Sequence, residues 1–470
     1  MLHETASSRD HRPIARPVMA PISPDELFQN ALRGTISEVM AIDSEVFVPA
    51  EPDDERRAAP FAMMGGMPVA SFRGRLLLDS EAAYEKLDQL LIPTNHTALF
   101  RSAAEVPVSD DRPNPAAPHV IQIINGRVNP APRPWWPNAL LFVITLFSVM
   151  YTGFVLATYD MSPGDIQRAS DQFPFSLYLG LPYALSILLI LGAHELGHYF
   201  AARRHNLAVT LPYFIPLPII SLLGTMGAFI QLRQPMRNRK VLLDVGAAGP
   251  LTGLIFAIPI LFIGLTMAQV NSVTSCFPPG TPEALRFSTY EGDSFLYALA
   301  KTVIFGRYLP SGGQDVLINS SQLAWAGWTG LLVTALNLIP IGQLDGGHVL
   351  YSLIGERARR LYYPVLLGMF GLTLISQNWL IWVLLLLFLG RVYATPLDTI
   401  TPLDNRRRWI GVLALVVLVV IFVPAPLATS ALPPCGTPPS TDSVEANPLL
   451  TAALWITPAI VALGWRVARR

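Results

Sequence analysis

The chain has 470 residues, 33 acidic and 33 basic side chains, and a mean hydropathy of +0.42. With 51% hydrophobic and only 14% charged residues, it is too apolar for a soluble enzyme and fits a polytopic membrane protein. Its zero formal charge gives no basis for a nucleic-acid partner.

Residues 1–133 are polar and proline-rich and read as a small soluble α/β domain. Met1 to Asn30 carries Asp10, Asp25 and Glu26, which fits neither a signal peptide nor a transit peptide. Ser23-Pro24-Asp25-Glu26 is a helix start, with Leu27, Phe28, Ala31, Leu32 and Ile36 on one face. Val69–Leu78 reads as a strand, Glu81–Leu91 as a helix, and Thr97–Arg101 and His119–Ile124 as strands. Asn125-Gly126 is a hairpin signal. Trp135-Trp136-Pro137 then marks a membrane interface.

Eight spans are predicted, at about 139–158, 178–202, 242–268, 322–342, 361–376, 379–394, 409–427 and 449–465. They divide into a core over 134–394 and C-terminal membrane helices over 395–470. Arginine and lysine cluster between spans two and three (Arg203, Arg204, Arg233, Arg237, Arg239, Lys240) and after spans four, six and eight. The opposite loops hold only Arg168, Arg286, Lys301 and Arg307, so both termini are predicted cytoplasmic. Cys276 and Cys435 fall in outer loops, where a disulfide between them is the expectation and two unpaired thiols the alternative.

The second span ends in His194-Glu195-Leu196-Gly197-His198. Positions i and i+4 share a helix face, so the two histidines can hold one metal ion, with Glu195 beside it to take a proton from water. At ~1.5 Å per residue, His194 lies roughly 24 Å into a span that begins near Tyr178. Three ionisable groups at that depth are costly without a use. A structural metal, or polar groups lining a transport path, is the alternative.

Zinc requires a third protein ligand. Arg204 stands where the extended soluble-protease pattern needs histidine, His205 is one residue off, and no glutamate follows until Glu283. Asp345 is the best remaining candidate. It lies in Asn337-Leu338-Ile339-Pro340-Ile341-Gly342-Gln343-Leu344-Asp345-Gly346-Gly347-His348, at the same predicted membrane side as His194. An ordinary helix terminus with an Asp turn fits that position equally well, and His348 is a rival ligand.

Gly224-Thr225-Met226-Gly227-Ala228-Phe229-Ile230 follows a stretch interrupted by Pro212, Pro216 and Pro218. It reads as a re-entrant loop or hairpin covered by protein, with an interfacial loop as the alternative. Gly249 and Gly253, near the start of span three, have small-xxx-small spacing and read as a helix-packing stripe.

The His194–His198 motif followed by Asn337…Pro340…Leu344-Asp345-Gly346 resembles the site-2 protease family of intramembrane zinc metalloproteases. The resemblance covers roughly residues 178–350. It implies zinc on His194, His198 and Asp345, and Glu195 as the residue that activates water. It implies that Asn337 orients the substrate backbone or a ligand, and that Gly224 and Gly227 lie on a strand edge that pairs with substrate. Many family members carry an asparagine where this chain has Gly253. The short outer loop at 269–320, the leading α/β domain and Gly342-Gln343 resemble the chloroplast and cyanobacterial branch. That branch includes the ethylene-dependent gravitropism-deficient and yellow-green-like proteases. Without a transit peptide, a bacterial plasma membrane is the expected location. The implied reaction is hydrolysis of a peptide bond within or near a transmembrane segment of a membrane-protein substrate, as in regulated intramembrane proteolysis. A metal transporter and an inactive scaffold are the alternatives.

Overall fold

A computed structural model describes residues 24–48, 68–106, 117–158, 161–218, 221, 223–272, 287–311 and 314–431. The proposed Cys276–Cys435 pair and the span at 449–465 lie outside these residues. The chain separates into two compact units, Met1–Arg127 and Val128–Arg470.

The first unit contains α1 (Pro24–Ser37), β1 (Met40–Phe47), β2 (Ala70–Leu76), α2 (Ser80–Leu91), β3 (His96–Ser102) and β4 (His119–Asn125). Its four strands form an antiparallel sheet in the order β1-β2-β4-β3. The amphipathic faces of both helices contribute Leu32, Ile36, Ala83 and Leu87 to a core shared with Phe72, Phe100 and Ile121. Asp79 caps α2 by accepting from the amides of Glu81 and Ala82. Asn125-Gly126 makes no hairpin, because it closes the last strand: the Gly126 amide donates back to the Asn95 carbonyl at 2.8 Å and coil follows.

The second unit is mainly helical. Its elements are α3 (Trp136–Ala157), α4 (Pro163–Asp171), α5 (Leu181–Arg204), β5 (Tyr213–Pro216), β6 (Thr225–Phe229), α6 (Arg239–Met267) and β7 (Gln269–Ser272). After these come β8 (Phe287–Glu291), α7 (Phe295–Phe305), β9 (Gln314–Leu317), α8 (Gln322–Asn337) and α9 (Asp345–Ile354). The last described elements are α10 (Tyr362–Leu372), α11 (Trp379–Leu389), α12 (Asn405–Ile421) and β10 (Leu427–Ala431).

Among the described residues, three helical segments are long and apolar enough to cross a membrane: Trp136–Ala157, Phe175–Arg204 and Arg239–Met267. The spans predicted at 322–342, 361–376, 379–394 and 409–427 correspond to shorter helices, and the first of these stops at Asn337, five residues before its predicted end. In lipid, close packing rather than the hydrophobic effect holds helices together. Small residues provide it here: Gly264 packs on the backbone of Ala324, and Gly327 packs on Leu261, which locks α6 against α8.

Lys301 of α7 is only 1% exposed. Its ammonium bridges Asp293 at 2.7 Å and Asp315 at 3.0 Å, and stands 4.7 Å from the centre of the Tyr297 ring. It thereby fastens the start of α7 to β9. Lys301→Met leaves two partly buried carboxylates without a counter-charge. We expect it to lower unfolding free energy by about 3 kcal/mol in denaturant titrations of the detergent-solubilised protein.

Candidate metal centre

Helix α5 brings His194 and His198 to one face, and both are buried. Asp345 reaches them from the first turn of α9, where a carboxylate is favoured by the helix dipole. The turn between α8 and α9 makes this possible. Its chain reverses through Gly342, whose φ of +58° lies in the left-handed region that an L side chain rarely adopts.

The three donor atoms form a near-equilateral triangle. Asp345 Oδ2 is 3.2 Å from Nε2 of His194 and 3.2 Å from Nε2 of His198, and the two Nε2 atoms are also 3.2 Å apart. A tetrahedral ion with bonds of ~2.0 Å spaces its ligands by roughly 3.3 Å, so two imidazoles and one carboxylate at this separation fit such an ion. His198 is further oriented by its other nitrogen: Nδ1–H donates to the Val245 carbonyl at 2.7 Å, which leaves the Nε2 lone pair for a metal. Among the described residues, His348 does not belong to the cluster of ligand atoms. His205, one residue off the soluble pattern, pairs instead with Asp244 at 2.9 Å.

Glu195 is buried beside the triangle without joining it. Its carboxylate lies near the Ile230 amide, directly after β6. Asn337, the last residue of α8, places its amide nitrogen 3.4 Å from His194 Nε2. Gly224 and Gly227 lie before and within β6, which pairs antiparallel with β5. The two strands form a two-stranded sheet, so the second edge of β6 has no strand partner among the described residues. The hairpin is tethered to α3 and α5. Asn138 donates to the Leu211 and Pro212 carbonyls, Ser148 to the Gly224 carbonyl, and the Tyr183 hydroxyl to the Leu223 carbonyl.

The glycine stripe of α6 does more than pack two helix backbones. A Cβ at Gly249 would overlap the His198 ring, and one at Gly253 would stand 3.2 Å from the His194 Cβ. These glycines make room for the two imidazoles, a role that spacing alone did not reveal. We expect Gly249→Ala to displace the His198 ring and weaken divalent-metal affinity on the order of 10–100-fold, as for loss of an orienting contact. Gly253→Ala should cost only a few-fold, by the order-of-magnitude measure of one strained contact. Competition with a fluorescent chelator, with melting curves as a folding control, measures both.

Comparison with known proteins agrees with this geometry. Residues 182–370 match the model for peptidase family M50. "Probable zinc metalloprotease EGY2, chloroplastic" from Arabidopsis thaliana is 28% identical over 364 residues, covering 76% of this chain and 60% of the relative. "Probable zinc metalloprotease EGY1, chloroplastic" from Oryza sativa subsp. japonica is 27% identical over 389 residues, covering 78% and 64%. "Probable zinc metallopeptidase EGY3, chloroplastic" from Arabidopsis thaliana is 26% identical over 307 residues, covering 62% and 49%. The chain spans about three fifths of the length of the EGY2 relatives. No solved structure matches. Motif and relatives point the same way: residues 182–370 match peptidase family M50, the site-2 protease family, and the chain is similar to the zinc metalloproteases of the branch that contains EGY1, EGY2 and EGY3.

Proposed function

We propose that this protein is an intramembrane zinc metalloprotease that hydrolyses peptide bonds within or beside transmembrane segments of membrane-protein substrates. The observation that carries this reading is the 3.2 Å triangle of buried His194 and His198 with partly buried Asp345, and buried Glu195 next to it. His194, His198 and Asp345 would hold zinc, which when bound acts as a Lewis acid toward the scissile carbonyl and lowers the pKa of water. Glu195 takes the proton of the attacking water and returns it to the leaving amine. An extended substrate segment adds to the open edge of β6, which replaces the substrate's helical hydrogen bonds with strand bonds and exposes its peptide carbonyl. Asn337, beside His194, donates to the substrate backbone or to a ligand. The surrounding apolar core excludes bulk water from these polar groups.

The proposed topology keeps eight spans and both termini in the cytoplasm, on the strength of the arginine-rich loops. The proposed division is an N-terminal domain over 1–133, a protease core over 134–394 and C-terminal membrane helices over 395–470. A bacterial plasma membrane gains no support from the relatives, whose names place them in chloroplasts. The transporter and scaffold readings gain none either, since the matched family and relatives carry peptidase names.

The test is cleavage of a transmembrane reporter by the purified full chain in detergent. Chelation is expected to abolish cleavage, and stoichiometric zinc to restore it. Cleavage that persists after complete removal of metal would overturn the proposal.

A further inference from the structure

The polar end of α5 opens onto two connected cavities outside the metal centre. One, of about 540 Å³, is an apolar groove along α5 and α6, walled by Leu189, Leu196, Phe200 and Phe256. Its floor lies at Gly197, where the helices approach so closely that a Cβ would be 2.7 Å from the Ala248 carbonyl oxygen. Thr252, the hydroxyl-bearing residue in its wall, has its hydroxyl engaged with the Ala248 carbonyl at 2.6 Å, so apart from Arg204 the groove offers mainly hydrocarbon contacts. The second cavity, of about 270 Å³, begins at Ala201 and Arg204, which line both. It continues to His205, Asp244, Arg406 and Arg407.

The charges in this second cavity do not cancel. Arg407 holds Asp244 through two bonds, of 2.8 and 2.7 Å, and also bridges Asp404 at 2.5 Å. His205 holds the same Asp244. Both carboxylates are therefore engaged. Arg204 and Arg406 are exposed, and no carboxylate lies within bridging distance of either among the described residues. Next to Arg406, Trp409 is 73% exposed at the start of α12, as expected of an aromatic side chain at a membrane interface.

We propose that this paired feature is a binding site for an anionic phospholipid. The phosphate sits between Arg204 and Arg406, and one acyl chain lies in the groove between α5 and α6. Charge complementarity selects the occupant: two free arginines at the interfacial end of a hydrocarbon-lined groove match a lipid that is anionic at one end and apolar along the other. A transmembrane peptide would match the groove and leave the arginines unanswered. The site does not depend on the protease reading. It lies on α5 beside the metal-bearing face, so its occupant would brace the helix that carries His194 and His198.

Native mass spectrometry of the delipidated full chain in detergent tests this. Phosphatidylglycerol, phosphatidylcholine with the same chains, and glycerol phosphate are the probes. Phosphatidylglycerol should be retained preferentially, and Arg204→Gln/Arg406→Gln should weaken its retention about 30-fold, at ~1 kcal/mol for each arginine near the surface. Arg204→Lys/Arg406→Lys should preserve the preference, which separates loss of charge from loss of fold. Equal retention of both lipids, unchanged retention in the glutamine variant, or glycerol phosphate binding as tightly as the lipid would overturn the proposal. A photoreactive amino acid at Phe200 in native membranes should give a phospholipid adduct. Crosslinks to a protein instead, whether a second copy or a substrate helix, would also overturn it.

Discussion

Glu195→Gln should reduce cleavage by about 10²–10⁴-fold while zinc content and melting temperature stay unchanged. The geometry dictates this separation. Glu195 is buried one residue beyond His194, on α5, and contributes nothing to the three-atom triangle. Glutamine has almost the same shape and keeps a carbonyl oxygen that can accept a hydrogen bond where the carboxylate does. It lacks only basicity. A carboxylate in this position can take a proton from water and hold it next to the leaving amine, whereas a carboxamide cannot. Glu195→Asp keeps the acid but withdraws it by one methylene, so partial activity is expected. Zinc stoichiometry and single-turnover cleavage measured on the same preparation decide the matter. If zinc is lost together with activity, Glu195 is holding the metal site together. If activity survives, another group accepts the proton.

How much of this was legible in the sequence depended on the range of the interaction. His194 and His198 are one helical turn apart, so local periodicity alone put them on a single face. Asp345, 147 residues beyond His198, required elimination of nearer candidates and a resemblance, because nothing in sequence measures a distance closed by tertiary packing. The same limit explains Gly249. Its spacing from Gly253 signals close helix contact, but which side chain occupies the space is decided by the partner helix. In the N-terminal unit, β1 escaped notice. It carries Asp43, Ser44 and Glu45, a polar run interrupted by an irregularity between Ile42 and Ser44, and it lies at the edge of the sheet. Edge strands with charged residues read as loops because only one side of the strand is satisfied by pairing. The β5–β6 hairpin was harder still. Pro212, Pro216 and Pro218 exclude a simple span, yet only the tethers from Asn138, Ser148 and Tyr183 fix where the hairpin sits.

Asp345→Asn should remove metal and activity together, in contrast to Glu195→Gln. The Asp345 carboxylate lies between two imidazole nitrogens at equal distance, so its negative charge serves the metal and not one histidine. Asparagine preserves the size of the side chain and its place in the first turn of α9, but its neutral oxygen is a weaker donor to a divalent ion. Loss of an orienting contact around a metal typically costs 10–100-fold in affinity, so loss of a charged direct ligand should cost at least about 100-fold. The variant should therefore purify with little zinc and cleave little, with partial recovery as free zinc is raised. Its fold should persist, because the turn that positions α9 rests on Gly342 and the backbone of α8 rather than on the carboxylate. The decisive measurement is a zinc titration followed in parallel by metal content and by cleavage. Recovery of both along one curve assigns Asp345 to the metal. Full zinc occupancy without cleavage would instead place Asp345 with Glu195 in proton transfer, and would leave His194 and His198 to find their third ligand elsewhere.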